Sequence, residues 1–131
     1  LTGSPRMKER PIKILVDALN QLGADITYKE NEGFPPLLIK GKKLTKNKVS
    51  LSANVSSQYI SALLLIASKL ENGIELTLEG KITSVPYIKM TLKLLNEVTT
   101  LLAIPELIGD PPVFTSRIAL SNLEGKVFFV K

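Results

Sequence analysis

From Pro11 to Leu22 the chain carries apolar residues at Ile12, Leu15, Val16, Leu19 and Leu22. This is the i, i+3, i+4, i+7 spacing that lines one face of a helix. Pro11 suits the first helical position and Gly23 the stop just beyond the last turn. Short strands are expected at Ile26 to Lys29 and Leu37 to Ile39, on either side of the polar turn from Glu30 to Pro36, with a third at Val49 to Ala53. Ser57 to Lys69 is apolar nearly all round from Ile60 to Ala67, which predicts a helix buried between a sheet and other helices. Ile74 to Gly80 sets Ile74, Leu76 and Leu78 against Glu75, Thr77 and Glu79, the alternation of a half-buried strand. Pro86 to Val98 repeats the helical stripe through Ile88, Leu92 and Leu95. From Thr99 onward Pro105, Pro111 and Pro112 interrupt the pattern, and only Val127 to Val130 reads as a strand.

The two striped helices share more than their period. Ile12-Lys13 recurs as Ile88-Lys89 and Leu19-Asn20 as Leu95-Asn96. The lead-ins match too: Leu1-Thr2-Gly3, a polar loop and Pro11 mirror Leu78-Glu79-Gly80, a polar loop and Pro86. The implied unit is strand, loop, helix and further strands, used twice. Strands alternating with helices point to an α/β or α+β fold, with repeated strand-helix units and helices packed on one face of a mixed sheet. Because the chain opens on what reads as the tail of a strand, with no initiator Met, it is expected to be an excised piece of something longer.

The 131 residues contain no Cys and no His. Those zeros exclude a Cys nucleophile, a Ser-His-Asp relay, zinc held by the usual nitrogen and sulfur ligands, and any disulfide. Proton transfer would fall to Asp, Glu, Lys or Tyr. At 44% hydrophobic, the chain suits one globular domain that buries roughly two-thirds of its unfolded surface. The longest unbroken apolar run, Ala62 to Ala67, is far short of the ~20 residues of a membrane span, and no basic leader precedes an apolar core.

The formal charge of +5 is unevenly placed, since residues 1–48 hold 10 basic and 5 acidic side chains whereas residues 49–131 hold 7 of each. Such a basic half suits nucleic acid, an anionic membrane or a small phosphorylated ligand. Three clusters precede helix starts: Arg6-Met7-Lys8-Glu9-Arg10 before Pro11, Ser56-Ser57-Gln58 before Tyr59, and Thr83-Ser84-Val85 before Pro86. Helix N-termini present unpaired N–H groups and partial positive charge, so three of them facing one ligand would form an anion pocket. Each feature also has a plain structural reading. Ser56, Ser57 and Ser84 suit helix caps, the Arg6 to Arg10 charges suit a solvated loop, and Tyr87 suits half-buried packing. The run Lys40, Lys42, Lys43, Lys46 and Lys48 around Gly41 reads as a solvated hairpin tip that could also touch nucleic-acid phosphates.

Taken together, Leu1-Thr2-Gly3-Ser4-Pro5-Arg6-Met7-Lys8-Glu9-Arg10-Pro11-Ile12, Pro35-Pro36-Leu37, Ser56-Ser57-Gln58-Tyr59 and Ser84-Val85-Pro86-Tyr87-Ile88 resemble the 5-enolpyruvylshikimate-3-phosphate synthase family in order and spacing. The likeness runs from Leu1 to about Val98. It implies a cytoplasmic transferase of aromatic amino-acid synthesis, moving the carboxyvinyl group of phosphoenolpyruvate to the 5-hydroxyl of shikimate 3-phosphate through a tetrahedral adduct, with loss of phosphate. By position Arg10 resembles the family's phosphoenolpyruvate-binding arginine, and Gln58 the glutamine lying between the two substrates. Ser56, Ser57, Ser84 and Tyr87 match positions around shikimate 3-phosphate. The resemblance implies no metal, no organic cofactor, no nucleic acid and no membrane. It assigns residues 1–98 to part of a first domain whose site is completed by a second domain of the same polypeptide.

Departures bound that reading. The family's N-terminal Lys and Arg, its upstream glycine-threonine turn and the Asp, Lys and Arg set of the other domain are not in this chain, so no catalytic proton-transfer group is assigned here. Ser68 replaces a common proline, and residues 99–131 do not match the expected continuation, although they are expected to pack on the same domain. A UDP-N-acetylglucosamine enolpyruvyl transferase-like domain is the alternative within the fold, disfavoured by the absent Cys. A basic nucleic-acid-binding module is the alternative outside it, and it lacks aromatics interleaved with the lysines.

Overall fold

The computed structural model describes residues 1–52, 56–67, 69–79, 85–102, 119–120 and 127–130, with side chains left undescribed at 96, 98–102 and in the last two segments. Its elements run α1 (Pro5–Lys8), α2 (Lys13–Gln21), β1 (Asp25–Tyr28), β2 (Leu37–Lys40), β3 (Lys48–Ser52), α3 (Ser57–Ala67), β4 (Ile74–Glu79), α4 (Val85–Leu102), β5 (Ala119–Leu120) and β6 (Val127–Val130). β1 and β2 form an antiparallel pair, and the other strands form a four-stranded sheet in the order β3-β4-β6-β5. Within it β3 runs parallel to β4 while β6 is antiparallel to both β4 and β5. The mixed sheet expected from the sequence is therefore present.

The inward residues of β3 and β4 all belong to one face, and the helices cover it. Val49, Leu51, Ile74, Leu76 and Leu78 meet Ala18 and Leu22 of α2, Ile60, Leu63, Leu64 and Ala67 of α3, and Ile88 and Leu92 of α4. Each large aliphatic side chain so buried contributes about 1.5–3 kcal/mol. A second cluster, Val16, Ile26 and Leu37, packs the other side of α2 on the β1-β2 pair, with Leu19 touching both clusters. The stripe read in the sequence is what lets α2 serve two sheets at once.

Local chemistry fixes the ends of α2. At its C-terminus Gly23 has φ +102°, its N–H donates to the Asn20 carbonyl at 3.0 Å, and the Ala24 N–H donates to the Leu19 carbonyl at 3.0 Å. This is the Schellman arrangement, in which a left-handed glycine frees the chain to turn back. At the N-terminus the expectation is corrected: Ile12 is the N-cap and Lys13 the first helical residue, so Pro11 lies outside. The Ile12 N–H is committed to the Gly33 carbonyl at 2.8 Å, which holds that residue away from helical geometry.

Three further expectations change. The strand read at Leu1-Thr2-Gly3 reduces to a pairing at Leu1, which exchanges hydrogen bonds with Leu37 at 2.7 and 2.8 Å. The chain then turns, because the Ser4 carbonyl accepts from the Met7 and Lys8 N–H groups and starts α1. The lysine-rich segment is no hairpin tip: β2 pairs with β1, whereas β3 pairs with the distant β4. Finally, α3 is not buried all round, since Leu65 is 50% and Ile66 36% exposed. Residues 53 and 80, at two expected strand ends, and residue 68, inside the expected helix, lie outside the described residues. Both striped helices of the expected repeat form, as α2 and α4, while the lead-in to α4 also lies outside the described residues.

Candidate functional site

Because β3 and β4 are adjacent and parallel, and α3 and α4 each follow one of them, both helices start at the same edge of the sheet, beyond the strands' carboxyl ends. Their second turns are also tied together. Ser61 Oγ and Thr91 Oγ1 lie 2.9 Å apart, and the Thr91 hydroxyl donates to the Tyr87 carbonyl at 3.1 Å. Thr91 is 8% exposed, so this hydroxyl relay sits at the helix interface, where a polar group needs its partners.

A long-range hydrogen bond ties the start of α2 to that of α3. Tyr59, the third residue of α3, donates its hydroxyl to the Pro11 carbonyl at 2.7 Å. Arg10 and Gln58 thus flank one contact, each a residue away from it. Both side chains are exposed. Ser56 acts as the cap of α3, its Oγ accepting the Gln58 N–H at 3.3 Å and its carbonyl accepting the Tyr59 N–H at 3.1 Å. Ser57 is the first, half-buried residue of that helix, and Tyr87 projects from the first turn of α4 with 62% exposure. Ser84 lies outside the described residues. α2 receives no side-chain cap from Ile12, which leaves its first N–H groups beside Arg10 without one.

The charges around this place are not equivalent. Lys13 is shared by Glu32 at 2.6 Å and Asp17 at 3.6 Å. The hydrogen bond to Glu32 raises the ammonium pKa, and its partner lowers the Glu32 carboxyl. Lys8 reaches Glu30 at 3.5 Å. Arg6 and Arg10 form no ion pair among the described residues. In the lysine-rich segment Lys40, Lys43 and Lys48 pair with Asp25, Glu71 and Glu75 at 3.7, 2.6 and 3.3 Å. A surface whose cations already face the chain's own carboxylates is a poor phosphate track.

Residues 1–103 match the family model described as EPSP synthase (3-phosphoshikimate 1-carboxyvinyltransferase). The chain belongs to the EPSP synthase family. It is 57% identical over 97 residues to the 3-phosphoshikimate 1-carboxyvinyltransferase of Bacteroides fragilis, a match covering 74% of this chain and 24% of the relative. The enzyme of that name from Colwellia psychrerythraea is 53% identical over 96 residues, covering 73% and 22%. The chain therefore spans about a quarter of the length of these curated EPSP synthase relatives. A solved structure of EPSP synthase from Acinetobacter baumannii superposes with TM-score 0.60 at 20% identity, over 98% of this chain and 24% of that one. At that identity the likeness speaks for the mixed α/β fold.

The sequence names Arg10 and Gln58 as candidates but not the bond between the residues that follow them. Tyr59 links the starts of α2 and α3, and Thr91 links the second turns of α3 and α4. A Tyr in the first turn of an otherwise aliphatic helix is the one visible cue.

Proposed function

We propose that this chain supplies part of the substrate site of an enolpyruvyl transferase of the shikimate pathway, working in the cytoplasm with the rest of a longer polypeptide. The reaction joins the 5-hydroxyl of shikimate 3-phosphate to the enol carbon of phosphoenolpyruvate, forming a tetrahedral adduct. Loss of phosphate and a proton then regenerates the vinyl group. The observation that carries the reading is the Tyr59 to Pro11 bond at 2.7 Å, because it gathers Arg10 and Gln58 at one corner of the sheet edge where α3 and α4 begin.

Both substrates carry several negative charges, and the residues at this edge suit them. Arg10 offers a planar fork for the carboxylate or phosphate of phosphoenolpyruvate. Gln58 stands between the two substrates. Ser56, Ser57, Ser84 and Tyr87 take shikimate 3-phosphate, the serines chiefly at its phosphate, where the helix starts add their partial positive charge. Acid and base groups come from elsewhere in the polypeptide.

Amide shifts of the isolated chain under titration with shikimate 3-phosphate test the site. Binding in the millimolar range, about −4 kcal/mol, is expected, with the loops at Ser56 to Gln58 and Ser84 to Tyr87 moving first. Shifts centred on Lys40 to Lys48 would instead mark non-specific charge and defeat the assignment. The isolated chain is expected to show no turnover above the buffer background.

A further inference from the structure

We infer that Tyr59 is a positioning residue for Arg10, acting through the Pro11 carbonyl; the inference rests on the reading of Arg10 as a phosphoenolpyruvate ligand. Arg10 is exposed, yet its backbone is held on both sides. Its own N–H donates to the Met7 carbonyl at 3.2 Å. The peptide group between Pro11 and Ile12 is gripped at both ends, its carbonyl by Tyr59 Oη at 2.7 Å and its N–H by the Gly33 carbonyl at 2.8 Å. The pyrrolidine ring between these anchors leaves Pro11 little freedom of its own.

Helix packing does not require this bond. The first carbonyl of the α2 ladder is that of Ile12, which accepts the Val16 N–H at 3.1 Å, so the Pro11 carbonyl lies outside the helix and could equally face water. The aromatic ring could pack without a hydroxyl. What the hydroxyl adds is a fixed distance between two segments 48 residues apart, and Arg10 and Gln58 each stand one residue before the bonded pair. A long side chain amplifies any rotation of its backbone, and a bidentate contact depends on the direction from which the guanidinium arrives. The Tyr59 hydroxyl thus sets where the guanidinium stands relative to Gln58 without touching a substrate.

The test is steady-state kinetics of the full-length enzyme carrying this segment, with Tyr59→Phe, Arg10→Lys and the double variant. Tyr59→Phe keeps the ring, and its melting midpoint is followed alongside. The KM for phosphoenolpyruvate is expected to rise about fivefold, the equivalent of one net hydrogen bond, while kcat and the KM for shikimate 3-phosphate stay within about twofold. On the Arg10→Lys background Tyr59→Phe is expected to add little, because the two act as one unit. If Arg10→Lys weakens phosphoenolpyruvate binding and Tyr59→Phe does not, or if their effects simply add, the positioning role is overturned and the Arg10 reading stands. If Arg10→Lys leaves that KM unchanged, the reading of Arg10 falls and the inference with it.

Discussion

Asn20 and Ile26 are joined twice: the Asn20 carboxamide donates from Nδ2 to the Ile26 carbonyl and accepts the Ile26 N–H on Oδ1, both at 3.1 Å. The side chain thus behaves as one more peptide along β1. Its neighbour Gln21 does the same for β3, accepting the Ser50 N–H at 2.9 Å and donating to the Ser50 carbonyl at 3.3 Å. Two consecutive amides at the end of α2 clasp an edge of each sheet, so the orientation of α2 between the sheets is fixed by polar as well as apolar contacts.

Asn20→Ala is therefore expected to destabilise the fold by about 2–3 kcal/mol, from two lost hydrogen bonds and two backbone groups left beside a buried residue. Gln21→Ala, at an exposed edge where water can replace the amide, is expected to lower stability by less than about 1 kcal/mol. Urea unfolding of the two variants in parallel checks the order.

Which parts of this could be read from the chain follows from how local each cause is. The alternation at Ile74, Leu76 and Leu78 was legible because one face of β4 is buried, and the stripes of α2 and α4 because their apolar positions pack into the core while the others face water. Gly23 was legible because a helix stop is a matter of a few residues. By contrast, the start of α2 was misread because the Ile12 N–H goes to Gly33, and the lysine segment because the partner of β3 lies beyond α3. At the candidate site the residue types and their spacing were visible. The bond that gathers them was not, since nothing near Pro11 signals Tyr59.

Tyr28 offers a test with the opposite sign. Its hydroxyl is buried and has no hydrogen-bond partner among the described residues. Burial, aided by nearby Asp17, raises the phenol above its ordinary value of 10.0. A raised acid favours the neutral form when folded, so its contribution is complete below pH 10.0 and is lost as the pH climbs through the folded value. Tyr28→Phe is expected to leave stability unchanged or improve it by up to about 1 kcal/mol at neutral pH, and to flatten the alkaline fall. Unfolding midpoints at neutral pH and near the phenol's titration decide this.

The Lys13–Glu32 pair predicts an acid limb. Its hydrogen bond holds the Glu32 carboxyl below its ordinary 4.5, so the contribution is present above that value and disappears as the pH falls through the folded one. Both groups are exposed, which keeps the effect small. Glu32→Gln is expected to lower the urea midpoint slightly at neutral pH and to match the unsubstituted chain once the pH has fallen below the folded value of the Glu32 carboxyl. A difference that persists unchanged into acid would remove the ion pair as its cause.

Arg10 and Arg6 give the sharpest contrast, since they share a charge and a segment but not a mooring. Arg6 lies within α1, a four-residue turn with no buried residue, and its head is free to follow solvent. Arg10 sits where α1 has ended and the Pro11 peptide is clamped by Tyr59 and Gly33, so its guanidinium leaves a fixed base, with no ion pair among the described residues to hold it elsewhere. An ammonium at that position keeps the charge and loses the planar fork, a loss of about 1.5–3 kcal/mol for a charge-assisted bidentate contact. In the full-length enzyme Arg10→Lys is accordingly expected to raise the KM for phosphoenolpyruvate by about tenfold or more, and Arg6→Lys to leave it within about twofold. Phosphoenolpyruvate saturation curves of the two variants at saturating shikimate 3-phosphate measure the difference. Equal losses would mean that net charge in the loop, and not the place of one guanidinium, governs binding.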